Sequence, residues 1–381
     1  MKYVFRKKRD QLFAGALDAL GGVVTGRGRH SPPGLLNAKN ILIVRLDHLG
    51  DILQATALPK AIKEGFSGCR MTVLTASWGE PLFRNNPFVD EVLVFDAPWF
   101  SKRRYGTAGS SGFIQCVNAL KQKKFDLGVS LRGDLRENLL LSLAGIQKRI
   151  GYGVTGGGFL LTREVAYRRG VHEQEHAKDL LKDLGLSTDR LLPRIYLSEQ
   201  EKVEFSERAK RWGLDADGRT VGFHAGAGSP SKEWPREAAG RFFEMFPAAF
   251  PGCRLVLVGT AADGAGTLPN KAAFFTDLRG KTSVRDLCLL LPIFRCFVGP
   301  DSGPAHLASA LGVPTVFLWS GTNDFEQWKP LSESARVLKQ DVPCSPCGLE
   351  VCNVPGHPCL SGISVEAVIQ KVKEQLRENN A

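Results

Sequence analysis

The chain has 381 residues, 43% of them hydrophobic, more apolar material than one ordinary domain buries and enough for two cores. No apolar run is long enough to cross a bilayer, and no unbroken apolar core follows the N-terminal charges, so a spanning or secreted protein is not expected and the cytoplasm is. A formal charge of +11 points to anionic partners, whether nucleic acid, an acidic membrane surface or a phosphorylated substrate, and nine cysteines, an odd number, argue against a disulfide scaffold.

Residues 1–38 read as a basic extension and linker. Arg6, Lys7, Lys8 and Arg9 accompany Phe5, Leu12, Phe13, Ala16, Leu17 and Leu20 at helical spacing. Such a helix either lies on an anionic membrane or docks on the protein's own surface; the membrane is the reading taken. Gly21–Gly34, rich in Gly, Pro, Ser and Arg, reads as linker.

Residues 39–190 open a first α/β domain. Asn40–Arg45 is a continuous apolar strand, followed by a tight loop to Asp51 and a helix over Ile52–Ile62. Asp51 is either a helix cap or a general base at a strand's carboxyl end. Strands follow at Met71–Thr75 and Val89–Phe95. The loop Trp99–Tyr105 sets Lys102, Arg103 and Arg104 beside aromatics, as a clamp for phosphate or carboxylate or as a solvated basic loop. After the helix Phe113–Lys121 and the strand Phe125–Leu131, Arg132 and Arg136 stand at another strand end. His176 lies near the start of the helix Glu175–Leu184 and reads as structural.

Residues 191–219 read as the interdomain connection and 220–362 as a second α/β domain. After the strand Thr220–His224, Gly226 and Gly228 let the chain wrap an anion, and Lys232 adds positive charge. Cys296–Val298 is a buried strand stopped at Gly299-Pro300. Asp301-Ser302 then caps a helix over Pro304–Leu311, which Gly312 ends. A helix start offers N–H groups and a positive dipole end, Gly303 permits close approach, and His306 lies within reach. The stretch is a diphosphate cradle or an ordinary strand–loop–helix. Cys344 and Cys347 have C-x-x-C spacing, and Cys352 and Cys359 complete four thiols. They are structural ligands for zinc or iron, or a packed cysteine loop. Residues 363–381 form a final amphipathic helix.

Both halves repeat strand, glycine-bearing loop and helix, which predicts two Rossmann-like domains facing a central cleft. Three segments carry a resemblance: RLDHLGD at Arg45–Asp51, HAGAGSPSKEWP at His224–Pro235, and GPDSGPAHLASALGVPTVFLWSGT at Gly299–Thr322. With the SPC-containing tail and the ISVEAV helix, the chain resembles glycosyltransferase family 9, the lipopolysaccharide heptosyltransferases of GT-B fold, over Asn40 to Leu376. The resemblance implies an ADP-heptose donor in the C-terminal domain and a lipid A–Kdo or inner-core acceptor on the N-terminal side. It matches Asp51 to the general base and Lys232 to the lysine facing the donor phosphates. Asp301, Ser302, Gly303 and His306 match the donor-binding motif.

Inverting transfer needs a base and charge compensation for the departing diphosphate, so no catalytic cofactor is expected. Peripheral contact with the cytoplasmic face of the inner membrane fits the basic charge. No nucleic-acid-binding pattern is present. The alternatives are a family 9 transferase with another sugar or acceptor, and a GT-B-fold sugar-nucleotide epimerase.

Overall fold

The computed structural model describes residues 3, 8–25, 37–101, 110–189, 191–214, 219–264, 266, 268, 269 and 272–378. The chain divides into two compact units, Met1–Pro193 and Arg194–Ala381.

The first unit is built on six parallel strands: β1 (Asn40–Arg45), β2 (Arg70–Thr75), β3 (Glu91–Val94), β4 (Leu127–Ser130), β5 (Lys148–Gly151) and β6 (Arg163–Glu164). Their order is β3-β2-β1-β4-β5-β6. Ile41, Leu42, Ile43 and Val44 are all fully buried. A parallel strand covered by helices on both faces has no solvent side, and an unbroken apolar run is the result.

The second unit repeats the plan with β7 (Thr220–His224), β8 (Arg254–Val258), β9 (Phe275–Asp277), β10 (Cys296–Pro300), β11 (Thr315–Trp319) and β12 (Ala335–Lys339). The order is β12-β11-β10-β7-β8-β9. Counted from the first strand of each unit, both sheets follow the doubly wound order, with a switch point between the first and fourth strands. Those pairs are β1/β4, with Val44 opposite Ser130, and β7/β10, with Phe223 opposite Val298. Open α/β sheets bind ligands outside the carboxyl ends of such a pair.

Residues 191–219 are more than a loop between the two sheets. They contain the helix Glu199–Arg211, opened by a Ser198–Glu201 capping box, and Glu201 takes two bonds from Arg285 at 2.7 and 2.9 Å within the second unit. The final helix, Val365–Glu378, packs on the second unit: Val365, Val368, Ile369 and Val372 enter the same core as Val221, Phe223 and Phe242.

At the other end, the first helix runs Lys8–Thr25, through part of the expected linker. It docks on the first unit beside Gly158–Leu160. Gly21 faces Phe159, where a Cβ would stand 2.4 Å from the ring, and Asp18 accepts the Gly157 N–H at 2.6 Å. Docking on the protein's own surface, one of the two sequence readings, therefore holds for this face. No helix among the described residues is long and apolar enough to cross a membrane.

Candidate active site

At the switch point of the first unit, Arg45 ends β1 and points into buried space. Its Nε donates to Asp47 Oδ1 at 2.8 Å, and its Nη2 donates to Asp51 Oδ1 at 2.9 Å and Glu173 Oε1 at 3.2 Å. Arg132, beyond the end of β4, donates from Nη1 to Asp47 Oδ2 at 2.7 Å. Asp51 lies in the first turn of the helix Leu49–Ala55, with its side chain 16% exposed, enough to reach a ligand. The helix starts at His48, whose side chain makes no cap bond, and Asp51 faces Arg45 instead of serving as the cap.

Burial pushes the Asp51 carboxyl up to about 7, and the neighbouring Asp47 adds to this against the pull of Arg45. That places it where a general base works best near neutral pH. Glu137 lies deeper. Burial, aided by Asp47, pushes it up to about 8. Its Oε2 accepts from Ser130 Oγ at 3.2 Å, and its Oε1 has no hydrogen-bond partner among the described residues. His176 is buried between Glu173 Oε2 at 3.1 Å and the Arg168 carbonyl at 2.8 Å, a structural setting in line with the sequence reading.

At the switch point of the second unit, β10 passes through Asp301-Ser302 into the helix Gly303–Ala310. Asp301 is a buried hub. Its Oδ2 accepts from Lys232 Nζ and from Asn323 Nδ2, both at 2.8 Å, and its Oδ1 lies 2.8 Å from His306 Nε2. Burial works against ionisation here, but the Lys232 ammonium and the His306 contact outweigh it and hold Asp301 at about 2. Lys232 and His306 are thus anchored by one carboxylate at the helix start. Ser302 occupies the N-cap without a side-chain cap bond, and its hydroxyl turns to His224 Nδ1 at 3.1 Å.

The structure therefore brings Lys232, Asp301, Ser302, Gly303 and His306 together. Gly226 belongs to the same end of the sheet. What it accommodates is Asp263, whose carboxylate a Gly226 Cβ would meet at 2.3 Å. Arg132 stacks over Phe100 at 4.4 Å and joins the Asp51 cluster through Asp47. Arg136 lies over Trp99 at 4.7 Å and is bound by both oxygens of Asp134, at 2.7 and 2.6 Å. Lys102, Arg103 and Arg104 lie outside the described residues.

Cys344, Cys347, Cys352 and Cys359 are free thiols, from exposed to buried, and among the described residues no group of three or more His, Cys, Asp or Glu is arranged to hold a metal. Main-chain bonds hold the loop. The Cys347 and Gly348 N–H groups donate to the carbonyls of Gly321 and Thr322 at 2.8 and 2.7 Å, and the Ser231 N–H donates to the Glu350 carbonyl at 3.1 Å. The loop so clamps the turn that carries Lys232.

Sequence reasoning missed Arg45, Asp47, Glu137 and Glu173 in the first unit, and His224, Asp263 and Asn323 in the second. His224 and Arg45 had a usable signal: each is a polar residue closing a buried strand. Asp263, in a glycine-rich loop, had none.

Two parallel sheets of doubly wound order, each with its polar cluster at the switch point, make a GT-B fold. Residues 114–357 match glycosyltransferase family 9 (heptosyltransferase), and the chain belongs to that family. It is 25% identical over 328 residues to lipopolysaccharide heptosyltransferase 2 of Escherichia coli K12, covering 78% of this chain and 87% of that one. In fold it is similar to the E. coli ADP-heptose heptosyltransferase II structure, with TM-score 0.71, 22% identity and coverage of 90% of this chain and 100% of that one. A family 9 glycosyl transferase from Veillonella parvula gives TM-score 0.75 at 22% identity, covering 89% and 98%.

Proposed function

We propose that this glycosyltransferase moves a heptosyl group from ADP-heptose to the inner core of lipopolysaccharide, with inversion at the anomeric carbon. Family membership and the relative named as lipopolysaccharide heptosyltransferase 2 support the donor and acceptor class. The observation that carries the chemistry is Asp51, a carboxyl of raised pKa with part of its surface open.

In this scheme Asp51 takes the proton of the acceptor hydroxyl as that oxygen bonds to the anomeric carbon. The bond from that carbon to the β-phosphate oxygen breaks, and ADP leaves with the electron pair. Lys232, His306 and the first amides of the helix Gly303–Ala310 balance the charge gained by the diphosphate. No divalent metal has a step in this scheme. Arg132 and Arg136, fixed by their carboxylate and aromatic contacts, and Lys102, Arg103 and Arg104 serve the acidic acceptor.

The enzyme reaches its acceptor on the cytoplasmic face of the inner membrane through the helix Lys8–Thr25. The face of that helix away from its docking contacts exposes Leu12, Phe13, Leu20 and Val23 at 74%, 71%, 69% and 83%.

The test is turnover of ADP-heptose with defined core acceptors, read by the mass gained by the acceptor. Asp51→Ala is expected to lower kcat by roughly 10²- to 10⁴-fold. Donor affinity by calorimetry should stay within about twofold of native, since a base for the acceptor contributes little to donor binding. In the native enzyme kcat should rise with pH through about 7, as Asp51 ionises. Retained turnover in the variant, or an equal loss of donor affinity, removes Asp51 from this role. Preference for a different nucleotide sugar removes the donor assignment.

A further inference from the structure

Three buried side chains, from the end of β7 and the loops after β8 and β10, line up beneath the start of the helix Gly303–Ala310. Ser302 Oγ lies 3.1 Å from His224 Nδ1, and His224 Nε2 lies 3.2 Å from Asp263 Oδ2. The three residues are 8%, 5% and 6% exposed. Space is reserved for them. A Cβ on Gly226 or Gly259 would stand 2.3 Å from the Asp263 carboxylate, and the one on Gly259 would also meet the His224 ring at 3.0 Å.

Hydrogen counting fixes one side of the ring. The Thr260 N–H and hydroxyl donate to the two Asp263 oxygens, both at 2.8 Å. Burial opposes ionisation of Asp263, but the His224 and Thr260 hydrogen bonds hold it at about 2. An ionised carboxylate only accepts, so Nε2 carries a proton toward it. The contact with Ser302 then has two forms. With one ring proton, Nδ1 accepts the Ser302 hydroxyl proton, and Ser302 shows only lone pairs to anything else. With two, Nδ1–H donates to Oγ, and the hydroxyl proton is released to point elsewhere. Ser302 Oγ accepts no cap bond from the first N–H groups of the helix.

We propose that binding of the donor's diphosphate at this helix start draws one proton from solvent onto His224, so that an imidazolium held by Asp263 makes Ser302 a hydrogen-bond donor to the diphosphate. This rests on the donor site proposed above. A phosphate oxygen is negative and only accepts. Against the one-proton form it meets lone pairs, or it takes the Ser302 proton and leaves the buried Nδ1 without a partner. The second ring proton removes both penalties. It also sets a positive charge beneath the anion, in the same sense as the helix dipole.

His224 and Asp263 are thus positioning residues that act through Ser302. The charged groups around the ring come from three loops. After β8 stands Asp263 itself. After β9, Arg279 donates to the Asp263 carbonyl at 2.5 Å. After β10, Asp301 adjoins Ser302 and holds Lys232 and His306.

Calorimetric titration of the full chain with ADP-heptose at pH 8, in buffers of different ionisation enthalpy, counts the protons taken up. The donor's diphosphate has no group of its own that titrates between roughly pH 6 and 9, so the protons counted belong to the protein. Net proton uptake on donor binding is expected, with affinity falling as pH rises on the alkaline side. Ser302→Ala should bind donor more weakly and without uptake, and His224→Gln should do the same, with affinity nearly flat over that range. His306→Gln should keep the uptake. Native binding without uptake, or uptake kept in Ser302→Ala, overturns the inference and leaves the proposed donor site standing. Uptake lost only in His306→Gln also overturns it. No binding at all overturns both. Ser302→Ala, which removes a single oxygen, decides the matter if His224→Gln does not fold.

Discussion

Two guanidiniums and four carboxyls share the buried ground beside β1 and β4, so not every carboxyl there is ionised near neutral pH. Arg45 serves Asp47, Asp51 and Glu173, and Arg132 serves Asp47, while Glu137 has, among the described residues, only the Ser130 hydroxyl. The carboxyls left short of positive charge are the ones that burial pushes up, Asp51 to about 7 and Glu137 to about 8. The sign for Glu137 follows from linkage. Its folded value lies above the ordinary 4.5, so between the two values the native chain holds a proton that the unfolded chain has released. That stability is fully present below pH 4.5 and is lost as pH rises through about 8, to the extent of a few kcal/mol at most. Glu137→Gln keeps the shape and removes the titration. It should equal the native enzyme within about 1 kcal/mol at pH 4.5 and exceed it at pH 8, by urea unfolding at both. A difference that is the same at both pH values would show that Glu137 does not titrate in this window.

At the scale of elements, the strands were legible wherever burial on both faces demanded an unbroken apolar run, as in β1 and β10. The helix start at Ser302 was legible because a glycine turn after such a strand has few other uses. The partners were not. Glu173 lies 128 residues beyond Arg45, and Asp263 lies 39 beyond His224, so no local spacing announces either pairing. Cysteine spacing suggested a metal site or a packed loop, and announced neither of the loop's main-chain bonds to Gly321 and Thr322. The glycine after β8 was legible only as a turn. Gly259 has φ +135°, and its missing Cβ is where the Asp263 carboxylate and His224 ring sit. Gly259→Ala therefore meets both a backbone penalty and a side-chain collision. It should cost about 1–3 kcal/mol in urea unfolding and weaken donor binding, whereas Gly→Ala at an unconstrained site stabilises by ~0.4–1 kcal/mol. A more stable variant with native donor affinity would mean that the loop does not depend on this conformation.

Across the whole molecule, one sheet order used twice gives two switch points with opposite chemistry. The first unit gathers carboxyls, one of them, Asp51, with its pKa pushed up to about 7. The second gathers a lysine, two histidines and a helix start, suited to an anion. The +11 charge and the N-terminal helix bear on the membrane contact proposed above. At 100° per residue, Leu12, Phe13, Leu20 and Val23 fall within an arc of about 100°, and Arg9 lies within the same arc. Ala14, Asp18 and Gly21, which seat the helix on the first unit, fall on the opposite side. The helix thus spends one apolar face on the protein and keeps the other outward beside basic charge, as a helix lying in an anionic interface requires. Each Lys or Arg near such a surface contributes about 1 kcal/mol, screened by salt. Sedimentation with phosphatidylglycerol vesicles should therefore show binding that weakens from low to physiological salt and is much poorer on neutral phosphatidylcholine. The pair Leu12→Asp and Phe13→Asp should lower vesicle binding by at least about tenfold, since two buried apolar side chains are worth ~3 kcal/mol or more. It should leave turnover of a delipidated acceptor unchanged, because neither residue belongs to the polar clusters. Native vesicle binding in this double variant would assign membrane contact to another surface and leave the outward face of the helix without a role.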